Sequence, residues 1–502
     1  MANDSPPPRY EEDGPTGAEG LATERELIVL AKPEAELRAT REGGVASAQE
    51  ADIAPLADLL ASEDVNLRPL FGVSEERLKA KTASLSATTG VDVPDLALYY
   101  RVEAPDERLD DLAEQLREQD VVEAAYVKPP GEPPQWLNNM APSAEEPPVH
   151  TPDFAVRQGY LDAAPIGIDA RYAWTLSGGG GAGVRIIDLE WNWRFSHEDL
   201  TQNQGGVVGG VAGGVANHGT AVIGEFGGDR NTFGIVGTCP DANVSAVAFS
   251  MASAAAIRLA ADRLGLGDIM LLEIHRAGPR FNFQPRNDQL GYIAIEWWPD
   301  DFDAIRYAIG RGVIVVEAAG NGAEDLDDAI YNTPAGGFPT NWRNPFNRAN
   351  RDSGAVVVGA GAPPPNTHGR DHGPDRSRLD FSNFGALVDA QGWGREVTTS
   401  GYGDLQGGAN EDEWYTDRFS GTSSASPIVV GALGCVQGVL RPRGRAPLRP
   451  AQARRLLRAT GSQQQDAPMR PRTERIGNRP DVRQLLARAP LDISAARSLL
   501  LG

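Results

Sequence analysis

Residues Arg418–Leu433 read RFSGTSSASPIVVGAL, with Ser423, Ser424 and Ser426 crowded between Gly421 and Pro427 and an apolar run, Ile428, Val429, Val430, Ala432 and Leu433, directly behind them. Gly, Ser and Pro are turn formers, and serine hydroxyls satisfy nearby backbone groups, so a polar turn is one reading. The other is a nucleophile at a helix start. Pro427 suits a first helical turn, and the apolar run is long enough for a buried helix. The free N–H groups at such a terminus favour an oxyanion formed nearby. The stretch does not choose between the two by itself.

Its surroundings do. Apolar runs alternate with helical segments through GVRIIDL (183–189), ANVSAVAF (242–249), GDIMLLEI (267–274), GVIVVEAAG (312–320) and SGAVVVGAGA (353–362). Runs this rich in Val and Ile fit strands covered on both faces, which predicts an α/β fold: a mostly parallel sheet with helices on both sides. Sites in such sheets lie at the carboxyl ends of the strands. Asp188 ends the first run, Asn321 follows the fourth, and His218 opens the helical segment NHGTAVIGEFG. Singly, Asp188 reads as an Asx turn, Asn321 as a cap and His218 as a packing histidine. Together with a serine they form a set for acyl transfer: hydroxyl nucleophile, imidazole base, orienting carboxylate and amide donor.

At this point the sequence resembles the subtilisin-like serine peptidases. The resemblance rests on RIIDLE, NHGTAVIG, EAAGNG and SGTSSASP in the order Asp, His, Ser, with HEDL, FGIVGTCPDANVSAVAF and LDFSNFGALVDAQGWG as connecting matches. It implies Asp188 as the orienting acid, His218 as general base and acid, Ser423 as nucleophile and Asn321 as oxyanion donor beside the Ser423 N–H. It also implies a substrate cleft lined by Glu273, Ile274, His275 and Gly320. Here the family's small-residue segment is replaced by IMLLEIHRAGP, so Glu273 is expected to face the cleft and favour Lys or Arg in the peptide, unless it pairs with Arg276.

The chain divides into a disordered segment (1–22), a small α+β domain (23–130), a Pro-rich linker (131–155), the catalytic domain (156–492) and a tail (493–502). The small domain reads β-α-β-β-α-β, a ferredoxin-like pattern, interrupted by a polar insertion. By resemblance it is a propeptide, an intramolecular inhibitor whose tail lies in the cleft, with self-cleavage expected between Lys128 and Thr151. Substrates are then polypeptides and the chain is read as a monomer.

The 47 basic and 69 acidic residues give a net charge of −22, which argues against nucleic acid and anionic membrane partners. Cys239 and Cys435, each in an apolar setting, read as buried thiols rather than a disulfide framework or zinc site. No apolar run is read as reaching membrane-spanning length and no signal peptide is seen, so a cytosolic setting is expected, with non-classical export as the alternative. No cofactor is required. The acidic run Glu324, Asp325, Asp327 and Asp328 offers oxygens of the kind calcium takes, although a solvated acidic face is the favoured reading. Two other functions compete with the zymogen peptidase: an acyl hydrolase with the same residues, disfavoured by the lack of a G-x-S-x-G elbow, and a silent binding protein.

Overall fold

The five Val/Ile-rich runs fold as neighbours in one sheet. In the computed structural model, which describes residues 23–40, 44–134, 141–145 and 147–489, seven parallel strands lie in the order Ala390–Trp393, Val356–Gly361, Ile314–Ala318, Ile269–Leu272, Arg185–Glu190, Asn243–Ala248 and Gln204–Gly209. The glycine-rich edge strand, QGGVVG, lacks the apolar signal of the others. The sheet is buried on both faces. Ile187, Leu189, Met270 and Leu272 pack with helices Ser253–Arg263 and Pro299–Gly310. Ile186, Ile269, Leu271 and Val316 pack with helices Asn217–Gly227 and Thr422–Leu440. Because strand side chains alternate, Asp188 and Glu190 share the second face with His218 and the serines.

The serine helix, Thr422–Leu440, is wholly buried. By length and apolarity it matches a membrane span, so the expectation that no run reaches that length is corrected; every residue of it lies inside the protein core. It also starts before Pro427, which falls in the helix interior and leaves the Ser423 carbonyl without its usual intrahelical donor. Gly421, at φ +119°, makes the turn into the helix, a conformation that suits a residue without Cβ.

The N-terminal domain is a four-stranded antiparallel sheet in the order Leu67–Pro69, Tyr99–Val102, Glu26–Ala31, Val122–Lys128, crossed by helices Ala54–Ser62 and Leu109–Arg117. This is the ferredoxin-like arrangement. Leu27 and Val29 face those helices, whereas Ile28, Ala124 and Tyr126 on the other face join the core of the catalytic domain. The insertion expected to be polar is a helix, Glu75–Thr89, that places Leu78 in the same shared core. Polar contacts cross the junction too. The Tyr126 hydroxyl donates to Asp300 (2.9 Å) and the Tyr99 hydroxyl to Asp303 (2.7 Å). Lys128 Nζ, fully buried, reaches Asp300 (2.5 Å), Asp301 (3.1 Å) and Glu26 (3.1 Å). Removing one partner from such a buried network typically costs about 3–5 kcal/mol, so this lysine fixes how the domain sits. The expected disordered segment 1–22 and the tail 493–502 lie outside the described residues.

Burial of so many carboxyls sets a pH dependence. Desolvation raises Asp199 and Glu296 to about 7 and Asp301 and Asp303 to about 6, and holds Asp188, Glu190, Glu225, Glu273 and Glu317 well above the usual range. Between pH 8 and 5.5 Asp199, Glu296, Asp301 and Asp303 take up protons in the folded chain and not in the unfolded one, so stability rises as pH falls. His197, lowered by burial to about 4, and His218 and His275, lowered to about 3, oppose this below pH ~6.5, but they are fewer. Thermal melting is therefore expected at a higher temperature at pH 5.5 than at pH 8; a midpoint that climbs steadily with pH contradicts the assignment.

Candidate functional site

His218 sits in the first turn of helix Asn217–Gly227, at the carboxyl edge of the sheet. Its Nδ1 is hydrogen-bonded to the carboxyl of Glu190, the last residue of strand Arg185–Glu190. Asp188, expected to fill this role, does not touch the imidazole. Its Oδ2 accepts from the Trp193 indole (2.7 Å), while Oδ1 is buried without a partner. The two carboxylates lie two residues apart on one face, and the one nearer the strand end reaches the site. That strand-end position is the signal in the sequence that points to Glu190. Burial lowers His218 to about 3 and so favours the neutral ring, whose Nε2 has no hydrogen-bond partner.

Ser423 occupies the first turn of the serine helix. Its Oγ donates to the carbonyl of Pro134 (2.9 Å), and its N–H approaches the same oxygen (3.4 Å). The neighbouring serines are engaged elsewhere: Ser424 donates to the Trp393 carbonyl (3.0 Å), and Ser426 to Glu273 and to the Thr422 carbonyl (2.9 Å). Asn321, fully buried, is held through its side-chain oxygen by the N–H (2.9 Å) and hydroxyl (3.0 Å) of Thr422. Its amide nitrogen, aimed by that grip, donates to Gln289 Oε1 (3.2 Å). The Asn321 N–H in turn donates to His275 Nδ1 (3.3 Å).

The Pro134 carbonyl arrives on a strand. Gly131–Glu132 pairs antiparallel with His275–Ala277, with Glu132 opposite His275 and Gly131 opposite Arg276; Tyr292–Ala294 flanks the same strand on its other side. The start of the expected exposed linker is thus extended but buried between walls of the catalytic domain. Ile274 and His275 border this segment, and Gly320, at φ +97°, precedes Asn321 at its edge. Glu273 is a correction. Its carboxyl is fully buried, turned into the protein and bonded to Ser426, and it meets neither the cleft nor Arg276, which pairs instead with Glu26 (3.0 Å). It therefore does not read substrate charge.

The acidic run draws its counter-charge from within the chain. Arg280 pairs with Glu324 (2.9 Å) and Asp328 (2.8 Å), and Asp327 accepts from the Ala386 N–H (2.8 Å). Among the described residues no group of three or more His, Cys, Asp or Glu side chains is arranged to hold a metal ion. Both cysteines are buried free thiols.

On one face of the sheet lie a serine at a helix start, with an amide donor held beside it and an extended segment crossing it, and a histidine with one free ring nitrogen and a carboxyl on the other. Two solved structures share the fold over nearly the whole chain. The epidermin leader peptide processing serine protease (EpiP) from Staphylococcus aureus is 16% identical, with a TM-score of 0.51, and the match covers 94% of this chain and 100% of that one. Fervidolysin from Fervidobacterium pennivorans, a keratinolytic enzyme related to subtilisin, is also 16% identical with a TM-score of 0.51, covering 95% of this chain and 63% of that one. No curated protein matches the chain. The model of the subtilase family matches residues 187–477, more than half of the sequence and all of the site from Glu190 to Ser423. With the sheet, the order of the site residues and that match in agreement, the chain belongs to the subtilase family and is a serine endopeptidase.

Proposed function

We propose that this endopeptidase works through Ser423, His218 and Glu190, with Asn321 and the Ser423 N–H receiving the oxyanion, and that it is made closed on its own segment Gly131–Pro134. The observation that carries this reading is the Pro134 carbonyl oxygen held by both the hydroxyl and the N–H of Ser423. A peptide bound as an added strand presents its carbonyl to a nucleophile in this way. For attack, the Ser423 hydroxyl turns from that oxygen toward the free Nε2 of His218. As Oγ bonds to the carbonyl carbon, Nε2 takes the proton, and the Glu190 carboxylate on Nδ1 stabilises the imidazolium. The Asn321 amide leaves Gln289 and donates to the new oxyanion, a group whose loss slows comparable enzymes by roughly a hundredfold or more. His218 then returns the proton to the departing amine, and water repeats the sequence on the acyl enzyme.

The resting contacts explain why the closed form is poised rather than active. The hydroxyl faces the carbonyl oxygen instead of the base, the oxyanion amide is engaged by Gln289, and burial disfavours the charged imidazolium. The tethered segment enjoys a high effective concentration, so cleavage of the Pro134–Gln135 bond precedes attack on other chains.

Two experiments test the reading. Wild type and Ser423→Ala are expressed side by side: wild type is expected to yield a fragment beginning at Gln135 and to degrade casein, whereas the variant stays full length and inactive. A variant cut at the same bond points to a host protease, and wild type that degrades casein while remaining intact shows a permanently retained domain. Separately, Glu190→Gln is expected to lower kcat by roughly 10⁴-fold, the order seen when the orienting carboxylate of such a set becomes an amide, while Asp188→Asn stays within about tenfold of wild type. The reverse ranking returns the role to Asp188.

A further inference from the structure

The segment that closes the cleft also reports what the cleft selects. We infer, resting on the peptidase reading above, that the enzyme prefers polypeptide segments of the form Gly-Glu-Pro-Pro on the acyl side of the cut: no side chain at the fourth position, a carboxylate at the third and proline at the last two. Each position has a physical cause. At Gly131 a Cβ would overlap the Ile274 side chain and lie 3.3 Å from the Arg276 guanidinium carbon, and both of those residues are fully buried. Ile274 must shift its Cγ1–Cδ1 end within a fully packed site to admit even alanine, so a side chain there is disfavoured.

Glu132 is 8% exposed, and its Oε1 accepts from the Tyr292 hydroxyl (2.8 Å). That hydroxyl is oriented because it accepts from the Arg286 N–H (3.1 Å), so its own proton is left for the carboxylate. An amide oxygen accepts a weaker hydrogen bond from this donor than a carboxylate does. The two prolines fit because the strand pairing ends at Glu132. Beyond it the cleft grips carbonyls, not N–H groups: Gln289 Nε2 donates to the Pro133 carbonyl (3.0 Å) and Ser423 to that of Pro134. Proline supplies both carbonyls, and its fixed φ reduces the entropy lost on binding.

Gln289 links this recognition to the chemistry, since the side chain that holds Pro133 also accepts from the Asn321 amide. The chain carries its own comparison. Residues 145–148 read Glu-Glu-Pro-Pro, matching the preferred segment at three positions but placing glutamate where glycine is required.

The test needs binding rather than turnover. Full-length Gly131→Val, whose own segment no longer fits past Ile274, is labelled at Ser423 by a fluorophosphonate probe in the presence of octapeptides. VKPPGEPP (127–134) is expected to protect Ser423 at concentrations at least about tenfold lower than its Gly131→Ala and Glu132→Gln forms or APSAEEPP (141–148). Wild type, still holding its segment, is expected to label more slowly than Gly131→Val, and melting curves show that both are folded. Equal protection by all four peptides, or protection by none, overturns the selectivity while leaving the peptidase reading intact. No labelling of Ser423 in either protein overturns the peptidase reading and this inference with it.

Discussion

Two residues of backbone pairing, Gly131–Glu132 against His275–Arg276, join the two halves of the molecule at the point where chemistry takes place. On one side lies a small domain whose sheet is buried on both faces; on the other, a parallel sheet with its reactive residues along one edge. The added strand uses only main-chain groups to set its register, and that register delivers the Pro134 carbonyl to Ser423. A shift by one residue would present a different carbonyl and turn Glu132 away from Tyr292. Lys128, three residues before the strand and buried among Asp300, Asp301 and Glu26, anchors the segment from behind.

Low solvent access gives the closed state its electrostatic character. Asp188, Glu190 and Glu273 lie buried near one another, and their mutual repulsion adds to the desolvation that disfavours their charged forms. A neutral His218 is at home in this setting and an imidazolium is not. On the proposed reading residues 131–134 leave before turnover, and water reaching the edge of the sheet then lowers the cost of the charged intermediate.

Much of this was legible in the residues. Strands rich in Val and Ile announced the parallel sheet, and the Asp, His and Ser blocks in that order announced the family, because both depend on local composition. What escaped depended on contacts distant in sequence. Asp188 and Glu190 occupy the same strand face, and the approach of helix Asn217–Gly227 to the strand end seats the histidine on Glu190. Glu273 looked like a cleft residue by position, yet Ser426, 153 residues away, draws it inward. The edge strand Gln204–Gly209 has too many glycines to show a strand pattern, and the helix Glu75–Thr89 is polar on most of its surface, burying Leu78 against the partner domain. The Pro-rich linker read as exposed because proline favours extended, solvated chain; its first four residues are extended but buried, since Gly131–Glu132 pair as a strand and the cleft grips the Pro133 and Pro134 carbonyls.

A crystal structure of the full-length Ser423→Ala chain tests the central claim most directly, because the variant cannot cut itself and still retains every main-chain contact. The account predicts Gly131–Glu132 paired with His275–Arg276, the Pro134 carbonyl oxygen within hydrogen-bond reach of the residue 423 N–H, and the Glu190 carboxyl on His218 Nδ1. A cleft empty of residues 131–134, or Asp188 seated on the histidine in place of Glu190, would contradict it.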